Sequence, residues 1–346
     1  MPFPLRSHLL DGQVIPALPL ALQRTRRWDS ARQRTLVRYY IDAGAGGLAV
    51  GVHSTQFAIR DPKIALYVPV LELAAQTATA WLGTKPRPFV LIAGLCGQTA
   101  QACNEAKIAR DLGYHAGLLS LGAWANAPES AVLAHGRAVA KEIPLIGFYL
   151  QNAVGGRVFS YRFWRDFADI PELVGIKIAP FNRYRTIDVV RAVLEAGRDD
   201  VALYTGNDDN IIGDLLTPFT FAGKTRFIDG GLLGQWGVWT QAAVVLLEEI
   251  KRARQKARLD AKWLERNAAL TDMNAALFDA AHDFAGCLPG IHEVLRRQGL
   301  LRTTACLAPH EQLSPGQARE ITRVAAAYPW LVDDAFVEKN RSRWLE

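Results

Sequence analysis

A short apolar run followed by an amphipathic stretch of helical periodicity recurs about eight times in the first 230 or so residues of this 346-residue chain. Strands that are apolar on both faces and alternate with helices are typical of a parallel sheet covered by helices. Eight such units fit a closed barrel better than an open sheet, because a (β/α)8 barrel takes roughly 250 residues. The sequence therefore predicts an α/β fold of the (β/α)8, or TIM barrel, type.

The barrel pattern ends near residue 238, and only helical periodicity follows it. The predicted strands are 14–22, 47–52, 89–93, 116–121, 145–149, 173–178, 201–204 and 226–229. The helices predicted after the barrel are 242–258, 262–281, 290–297 and 316–327. We therefore predict two parts, a catalytic barrel over 1–238 and a C-terminal helical extension over 239–346 that packs on the barrel.

The chain carries a formal net charge of +6 and has an isoelectric point near 9.2, but this charge is spread along the sequence. In the densest basic stretch, 23–38, arginines alternate with apolar helix positions, which indicates a solvated helix face and not a nucleic-acid surface. No apolar run approaches the roughly 18 residues of a membrane-spanning helix. We expect neither a nucleic-acid nor a membrane partner, and the positive charge suits an anionic substrate.

The four cysteines, Cys96, Cys103, Cys287 and Cys306, form no CxxC pair and lack the spacing of a zinc site. This usage is typical of reduced thiols in a cytoplasmic protein. The glycine-rich stretch 44–47 precedes a predicted strand, whereas a dinucleotide-binding loop follows one. We therefore predict no metal and no cofactor.

Lys177 is the lysine that points to chemistry. The chain has ten lysines, and Lys177 is the one placed inside an apolar strand, within Leu-Val-Gly-Ile-Lys-Ile-Ala at 173–179. Alternation along that strand puts Lys177 on the face of Gly175 and turns it into the barrel, near the carboxyl end where barrel enzymes act. Burial disfavours an ammonium group, so a neutral amine could attack a ketone and form an imine. The alternative is a lysine paired with a buried carboxylate, for which Asp229 is the candidate.

Tyr149 ends the preceding predicted strand, Pro-Leu-Ile-Gly-Phe-Tyr at 144–149. We expect Leu145, Gly147 and Tyr149 to share the inward face by the same alternation. Tyr149 would then lie one strand away from Lys177, where a phenol could transfer protons during imine formation. The alternative is a tyrosine whose ring belongs to the core.

A tyrosine at the end of the fifth strand and a Gly-Ile-Lys in the sixth resemble the dihydrodipicolinate synthase / N-acetylneuraminate lyase family. The resemblance covers roughly residues 10 to 235 and includes several further stretches in matching order. These are Val-Ile-Pro-Ala-Leu at 14–18, the helix and turn at 36–48, Leu-Ile-Ala-Gly at 91–94 and Tyr-Thr-Gly-Asn-Asp at 204–208.

This resemblance implies a class I lyase or aldolase that forms a Schiff base with a pyruvate-type 2-keto acid and makes or cleaves a C–C bond. It also implies a homodimer or a homotetramer. By motif position, Lys177 would be the imine lysine and Tyr149 the proton-relay phenol. Gly206 would lend backbone contacts to the substrate, and Ile228 would line the pocket.

The stretch after the second strand departs from the family pattern. The family has Gly-Thr-Thr-Gly-Glu there, whose hydroxyls and amides hold the keto-acid carboxylate, and this chain has Gly-Val-His-Ser-Thr-Gln at 51–56. Ser54 and Thr55 would supply the hydroxyls in a shifted register, and His53 would add a donor. Alternatively, His53 is a loop residue without a role in binding.

Two further departures concern the substrate pocket. The family arginine that binds a second carboxylate is replaced by Val154, with Arg157 just beyond it. Trp124 stands in the loop where a partner-chain tyrosine is expected. These changes argue against lysine biosynthesis and suggest a larger or less acidic substrate, with Trp124 and Trp236 as candidate apolar walls.

Three functions remain open from the sequence. The first is a lyase or aldolase acting on a keto acid, and the second is a sugar-acid dehydratase that uses the same imine to expel water. The third is a barrel that keeps Lys177 but only binds a ligand. Glycines at 230–234 follow the eighth predicted strand, so a phosphorylated substrate is a minor alternative.

Overall fold

The structure is a computed structural model that describes residues 3–152 and 155–346. The strands in these residues are β1 (Val14–Pro16), β2 (Gly47–Val50), β3 (Val90–Leu95), β4 (Ala116–Leu119), β5 (Leu145–Leu150), β6 (Leu173–Ala179), β7 (Ala202–Thr205), β8 (Phe219–Phe221), β9 (Lys224–Arg226) and β10 (Gly230–Leu233). Its helices are α1 (Leu5–Leu10), α2 (Ser30–Asp42), α3 (Tyr67–Leu82), α4 (Thr99–Asp111), α5 (Glu129–Ala140), α6 (Tyr161–Ala168), α7 (Arg183–Glu195), α8 (Ile211–Leu216), α9 (Thr240–Arg254), α10 (Lys262–Phe278), α11 (Cys287–Arg297), α12 (Gln317–Ala327) and α13 (Asp334–Leu345).

Eight of these strands form one parallel sheet in the order β1-β10-β7-β6-β5-β4-β3-β2. A parallel bridge between Ala17 and Ala49 brings the chain after β1 beside β2, so the order is circular. The predicted (β/α)8 barrel with C-terminal helices is therefore confirmed. Helices α2, α6 and α7 begin at side-chain caps: the carboxylate of Asp29 accepts from the amide of Arg32 at 3.1 Å, and the side chains of Ser160 and Asn182 accept from backbone amides at the starts of α6 and α7.

The predicted eighth strand, 226–229, is wrong. Lys224–Arg226 pairs with Phe219–Phe221 as a separate antiparallel hairpin, and the eighth barrel strand is Gly230–Leu233, with Gly230 opposite Tyr204. A Gly-Gly pair has low strand propensity, which hid this strand from the sequence pattern. Glycine is needed there, because a Cβ on Gly230 would lie 2.5 Å from the carbonyl oxygen of Gln13.

The fold divides into two compact units. One unit joins the described residues up to 13 with Val90–Leu232, and the other joins Val14–Phe89 with Leu233–Glu346. In the second unit the hydroxyl of Tyr39 donates to Asp333 at 2.8 Å and accepts from the amide of Thr240, so the C-terminal helices are tied to α2. The division predicted at residue 238 stays a prediction.

The C-terminal helices differ in extent from those that the sequence predicts. α9 to α12 correspond to the four predicted helices, whereas α1 and α13 have no predicted counterpart.

Within the described residues, no helix is both long and apolar enough to cross a bilayer.

Candidate active site

Lys177 lies in β6 of the first unit and is partly accessible, whereas the other residues of that strand are buried. Its register partners are Phe148 on β5 and Tyr204 on β7. Partners in a parallel ladder project their side chains to the same face of the sheet. Lys177 and Phe148 therefore share one face, and the Lys177 Nζ lies 4.4 Å from the centroid of the Phe148 ring.

The opposite face of β5 carries the helices. A Cβ on Gly147 would come within 2.8 Å of the Phe167 ring on α6, and the Tyr149 ring lies 5.0 Å from the Trp164 ring on the same helix. Because Gly147 and Tyr149 face α6, the alternating residue Phe148 faces away from it. Phe148 and Lys177 thus point to the interior of the barrel.

The pKa of Lys177 is lowered from 10.5 to about 8. Burial is the main cause, because it disfavours the ammonium form, and the negative charge of Asp208 partly offsets it by raising the pKa. The face of Phe148 also attracts a cation at this distance. A pKa near 8 leaves a substantial fraction of the amine uncharged close to neutral pH.

Gly206 packs directly on the Lys177 side chain. A Cβ at Gly206 would lie 2.7 Å from both the Lys177 Cε and the Ala179 Cβ, closer than van der Waals contact allows. The amide of Gly206 donates to the carbonyl of Ile178 at 2.7 Å, which holds this backbone against β6. Glycine is therefore required for the lysine to lie along the wall formed by β7.

The prediction that Tyr149 shares the inward face with Lys177 is wrong. Its ring is buried beside Trp164 and Phe159, and its hydroxyl oxygen accepts from the amide of Phe159 at 3.3 Å. Burial raises the pKa of this phenol, which favours its neutral form. The predicted proton-relay role of Tyr149 is not compatible with this placement, and Phe148, which has no proton to transfer, occupies the position beside the lysine.

Tyr204, the phenol that is in register with Lys177, also has its hydroxyl bonded to other groups. The hydroxyl of Tyr204 donates to the carbonyl oxygen of Leu9 at 2.8 Å and accepts from the amide of Gln13 at 3.1 Å. Burial raises the pKa of Tyr204 well above its ordinary value. This phenol ties β7 to α1 and its following turn, and it is not a candidate for proton transfer at Lys177.

The loop after β7 carries an acidic residue that sequence analysis did not single out for Lys177. Asp208 is partly accessible, and its charge acts on Lys177. The proposed alternative partner, Asp229, instead has its carboxylate in a 3.0 Å ion pair with Arg226 and a 2.7 Å hydrogen bond from the amide of Leu203. The sequence signal was the run of three polar residues, 207–209, directly after a barrel strand.

A buried polar network fixes this loop. The carboxylate of Asp214 accepts from the Thr205 hydroxyl at 2.6 Å and from the Asn207 amide at 2.8 Å, and it forms an ion pair with Arg183. The Asn207 side-chain oxygen in turn accepts from the amide of Phe181 at 2.9 Å. Asn207 and Asp214 are almost fully buried, so the loop has a defined conformation on either side of Asp208.

The predicted carboxylate-binding residues lie in the second unit. His53–Thr55 forms a single 3-10 turn, in which Ser54 and Thr55 are buried and His53 is partly accessible. The Thr55 hydroxyl donates to the carbonyl of Leu18 at 2.7 Å and accepts from the amide of Gly51 at 3.0 Å, so it ties the loop after β2 to the chain after β1. Their role in binding a carboxylate stays a prediction.

Ile228 is fully buried, but it precedes β10 instead of lying toward its carboxyl end. The predicted strand 226–229 had put Ile228 near the catalytic end, so moving the strand to Gly230–Leu233 removes the reason for the predicted pocket-lining role. The pocket-lining role of Ile228 stays a prediction, without the strand placement that had suggested it.

The residues predicted around the substrate occupy separate positions. Arg157 donates to the carbonyl oxygens of Trp124 and Ala127, at 2.9 and 2.5 Å, so its guanidinium holds the loop after β4. Trp124 stacks on His135 with 4.7 Å between ring centroids. Val154 lies outside the described residues, and the pocket-wall roles of Trp124 and Trp236 stay predictions.

No group of three or more His, Cys, Asp or Glu side chains within residues 3–152 and 155–346 is arranged to hold a metal ion. The four cysteines are free thiols. Burial raises the pKa of Cys306 to about 12, which makes this thiol a poor nucleophile near neutral pH.

The fold resembles solved structures over nearly the whole chain. N-acetylneuraminate lyase from Fusobacterium nucleatum matches with a TM-score of 0.71 at 16% sequence identity, covering 92% of this chain and 99% of that chain. Dihydrodipicolinate synthase from Bacteroides thetaiotaomicron matches with a TM-score of 0.73 at 16% identity, covering 94% and 100%. The Oceanobacillus iheyensis dihydrodipicolinate synthase matches with a TM-score of 0.69 at 18% identity, covering 94% and 99%.

Neither a family model nor a curated protein matches the amino-acid sequence. At identities of 16–18% the likeness establishes the fold. It agrees with the family resemblance that the sequence motifs indicate.

Proposed function

We propose that this protein is a class I lyase that forms a Schiff base between Lys177 and a 2-keto acid and makes or cleaves a C–C bond. The observation that carries the proposal is the Lys177 amine, which lies inside the barrel against Phe148 and Gly206 with a pKa lowered to about 8. The resemblance in motifs and the likeness in fold to N-acetylneuraminate lyase support it.

The lowered pKa gives the amine its reactivity. An ordinary lysine with a pKa of about 10.5 is uncharged in roughly one molecule in 3000 at pH 7, whereas a pKa of about 8 leaves roughly one in ten uncharged. The fraction able to attack a carbonyl therefore rises by about 300-fold.

The imine supplies the chemistry. The Lys177 nitrogen attacks the keto carbon, water leaves, and the protonated imine withdraws electrons from the adjacent carbon. The hydroxyl on the carbon beyond it loses its proton to solvent and becomes the aldehyde C=O, while the C–C bond between these two carbons breaks. The electron pair of that bond forms an enamine with the imine nitrogen as the sink, and the aldehyde fragment departs. Protonation of the enamine carbon and hydrolysis release the shortened keto acid and restore the amine.

Borohydride trapping tests this proposal. The protein is incubated with pyruvate, or with each of a panel of 2-keto acids, then reduced with borohydride, digested and analysed by mass spectrometry. The expected result is one reduced adduct on Lys177. Lys177→Met should remove the adduct, and Lys141→Ala, a change at an exposed lysine, should keep it. The absence of any adduct on Lys177 across the panel would contradict the proposal.

A sugar-acid dehydratase that uses the same imine is the second candidate, and the products distinguish it. Cleavage yields two carbonyl fragments, whereas dehydration yields one keto acid of unchanged carbon number. Phe148 beside Lys177 favours a third candidate, a barrel that binds a keto acid without turnover, because the phenyl ring cannot transfer protons. Trapping of the adduct without any product would support that candidate.

The family resemblance also suggests an oligomeric state, a cellular location and a binding site for the substrate carboxylate. We propose a homodimer or homotetramer, a cytoplasmic location, and carboxylate binding by His53, Ser54 and Thr55. The Thr55 hydroxyl is already bonded to the backbone of Leu18 and Gly51, so Ser54 and His53 are the better candidates for direct contact with the carboxylate.

A further inference from the structure

A surface cavity that the proposed function does not use lies in the second unit, among the ends of α2 and α3, the loop after α3, and α13. Its volume is about 600 Å³, and small-molecule sites occupy roughly 300–1,000 Å³. All the residues that line it belong to the second unit, whereas Lys177 belongs to the first. We call it the basic cavity, and the side chains that determine its chemistry are Asp42, Trp81, Lys85, Arg87, Phe336 and Arg343.

The carboxylate in the basic cavity is already occupied. Asp42 is the one acidic residue among the described residues that line the cavity. Its carboxylate accepts from the indole nitrogens of Trp81 at 3.0 Å and of Trp344 at 2.5 Å, and it forms an ion pair with Arg343. Asp42 therefore compensates the charge of Arg343, and its oxygens have little capacity left for a further cation.

Two further cations line the cavity without a carboxylate partner. Lys85 and Arg87 come from the loop between α3 and β3, and neither forms an ion pair within the described part of the chain. The Arg87 guanidinium donates instead to the carbonyl oxygens of Ile41 at 2.6 Å and Pro88 at 3.3 Å, which fixes its position. Burial lowers the pKa of Arg87, because it disfavours the charged form, and an anion bound beside this residue would offset that cost.

The basic cavity also has an aromatic wall. Trp81 and Phe336 both line it and are partly accessible. The guanidinium carbons of Arg38 and Arg343 lie 4.9 and 5.6 Å from the centroid of the Trp81 ring, so cation–π contacts hold this indole in place. An inorganic anion would fill only a small part of about 600 Å³, whereas a ligand with an aromatic body would also cover the aromatic surface.

We propose that the basic cavity binds a phosphate monoester with an aromatic body, of the size of a nucleoside monophosphate. Such a phosphate carries between one and two negative charges near neutral pH, which matches the two charges that Lys85 and Arg87 leave uncompensated. Arginine and lysine both bind phosphate oxygens well. The aromatic ring lies against Trp81 and Phe336. This binding site is independent of Lys177, so it does not rest on the proposed function.

Isothermal titration calorimetry with the full chain near neutral pH tests the proposal. The two probes that carry both a ring and a phosphate are AMP and phenyl phosphate. Ribose 5-phosphate lacks the aromatic ring, and adenosine lacks the phosphate. We expect AMP to bind about tenfold more tightly than either of these two, because base stacking and charge-assisted hydrogen bonds each contribute at least that much.

Charge-removing variants locate the binding. Lys85→Gln/Arg87→Gln should weaken AMP binding by about tenfold or more. The matched control, Arg24→Gln/Lys141→Gln, removes the same charge at two exposed positions and should bind AMP as the wild type does. Lys85→Gln alone changes an exposed side chain, so it decides the question if circular dichroism shows that the double variant is not folded. Weaker AMP binding by Lys85→Gln supports the proposal.

Three results would overturn the proposal. Absence of binding by both AMP and phenyl phosphate would show that the cavity takes no aromatic phosphate. Equal AMP affinities for the wild type and for folded variants at Lys85 and Arg87 would place the nucleotide elsewhere on the protein. Ribose 5-phosphate that binds as tightly as AMP would show that Trp81 and Phe336 do not contact the ligand.

Discussion

Replacing Lys177 by methionine should stabilise the folded protein near neutral pH. The structure buries a lysine whose pKa falls from 10.5 in the unfolded chain to about 8, so at pH 7 the folded state carries a charged group that its surroundings disfavour. Methionine has a similar length and no charge, and it can pack against Phe148 and Gly206 as the lysine stem does. A residue kept for chemistry at the expense of stability is expected to behave in this way.

The magnitude follows from proton linkage. Below pH 8 both states hold the proton and the folded state bears the full cost, which is about 3 kcal/mol for a pKa lowered from 10.5 to about 8. Between pH 8 and 10.5 the folded state has released the proton and the unfolded state still binds it, so the wild type gains stability as pH rises. The advantage of Lys177→Met should therefore fall from about 3 kcal/mol at pH 7 to roughly half of that at pH 9.5.

Urea unfolding followed by circular dichroism at pH 7, 8.5 and 9.5 measures this difference. Lys141→Met, at an exposed position, serves as the control and should show no pH-dependent change relative to the wild type. If Lys177→Met has the same free energy of unfolding as the wild type at pH 7, or if the difference stays constant up to pH 9.5, the charged form of Lys177 does not destabilise the folded protein. Lys177 would then not be a reactive neutral amine near neutral pH.

Two further substitutions test the geometry around Lys177. Tyr149→Phe should leave the trapping rate with pyruvate unchanged. It should lower the free energy of unfolding by about 1–2 kcal/mol, because the buried amide of Phe159 loses its acceptor. A trapping rate that is 100-fold slower would show that Tyr149 takes part in the reaction. Gly206→Ala should slow trapping by displacing the Lys177 side chain and should destabilise the protein by about 1–3 kcal/mol, since the added Cβ falls 2.7 Å from Lys177 and Ala179. Wild-type trapping and wild-type urea midpoints in Gly206→Ala would show that β7 does not pack against the lysine as described.

The sequence was sufficient for the barrel and for the lysine. Apolar runs that alternate with amphipathic helices leave few architectures other than a parallel sheet covered by helices. Seven of the eight predicted strands lie where the structure has strands, and the eighth begins at residue 230 instead of residue 226. Burying a lysine in an apolar strand costs free energy wherever the strand lies in the fold. Lys177 could therefore be identified as a candidate catalytic residue before any of its contacts was known. Both signals are local and depend on the type and spacing of neighbouring residues.

The direction of each side chain was not available from the sequence. In a barrel both faces of a strand are buried, so β5 shows no alternation of polar and apolar residues that could tell Phe148 from Tyr149. The register of β5 against β6 also shifts between Leu145 and Ile146, so counting from the start of each strand gives the wrong phase. This irregularity placed Phe148 beside Lys177 and turned Tyr149 toward α6.

The sequence by itself determined the architecture and the identity of the buried amine, because hydrophobic periodicity and the cost of burying a charge are properties of short segments. Tertiary structure alone decided which groups meet that amine. Phe148 comes from β5 and Gly206 from the start of the loop after β7, and their approach to Lys177 depends on strand register and on the Asp214 network that holds this loop. Those are long-range contacts, which no local pattern encodes.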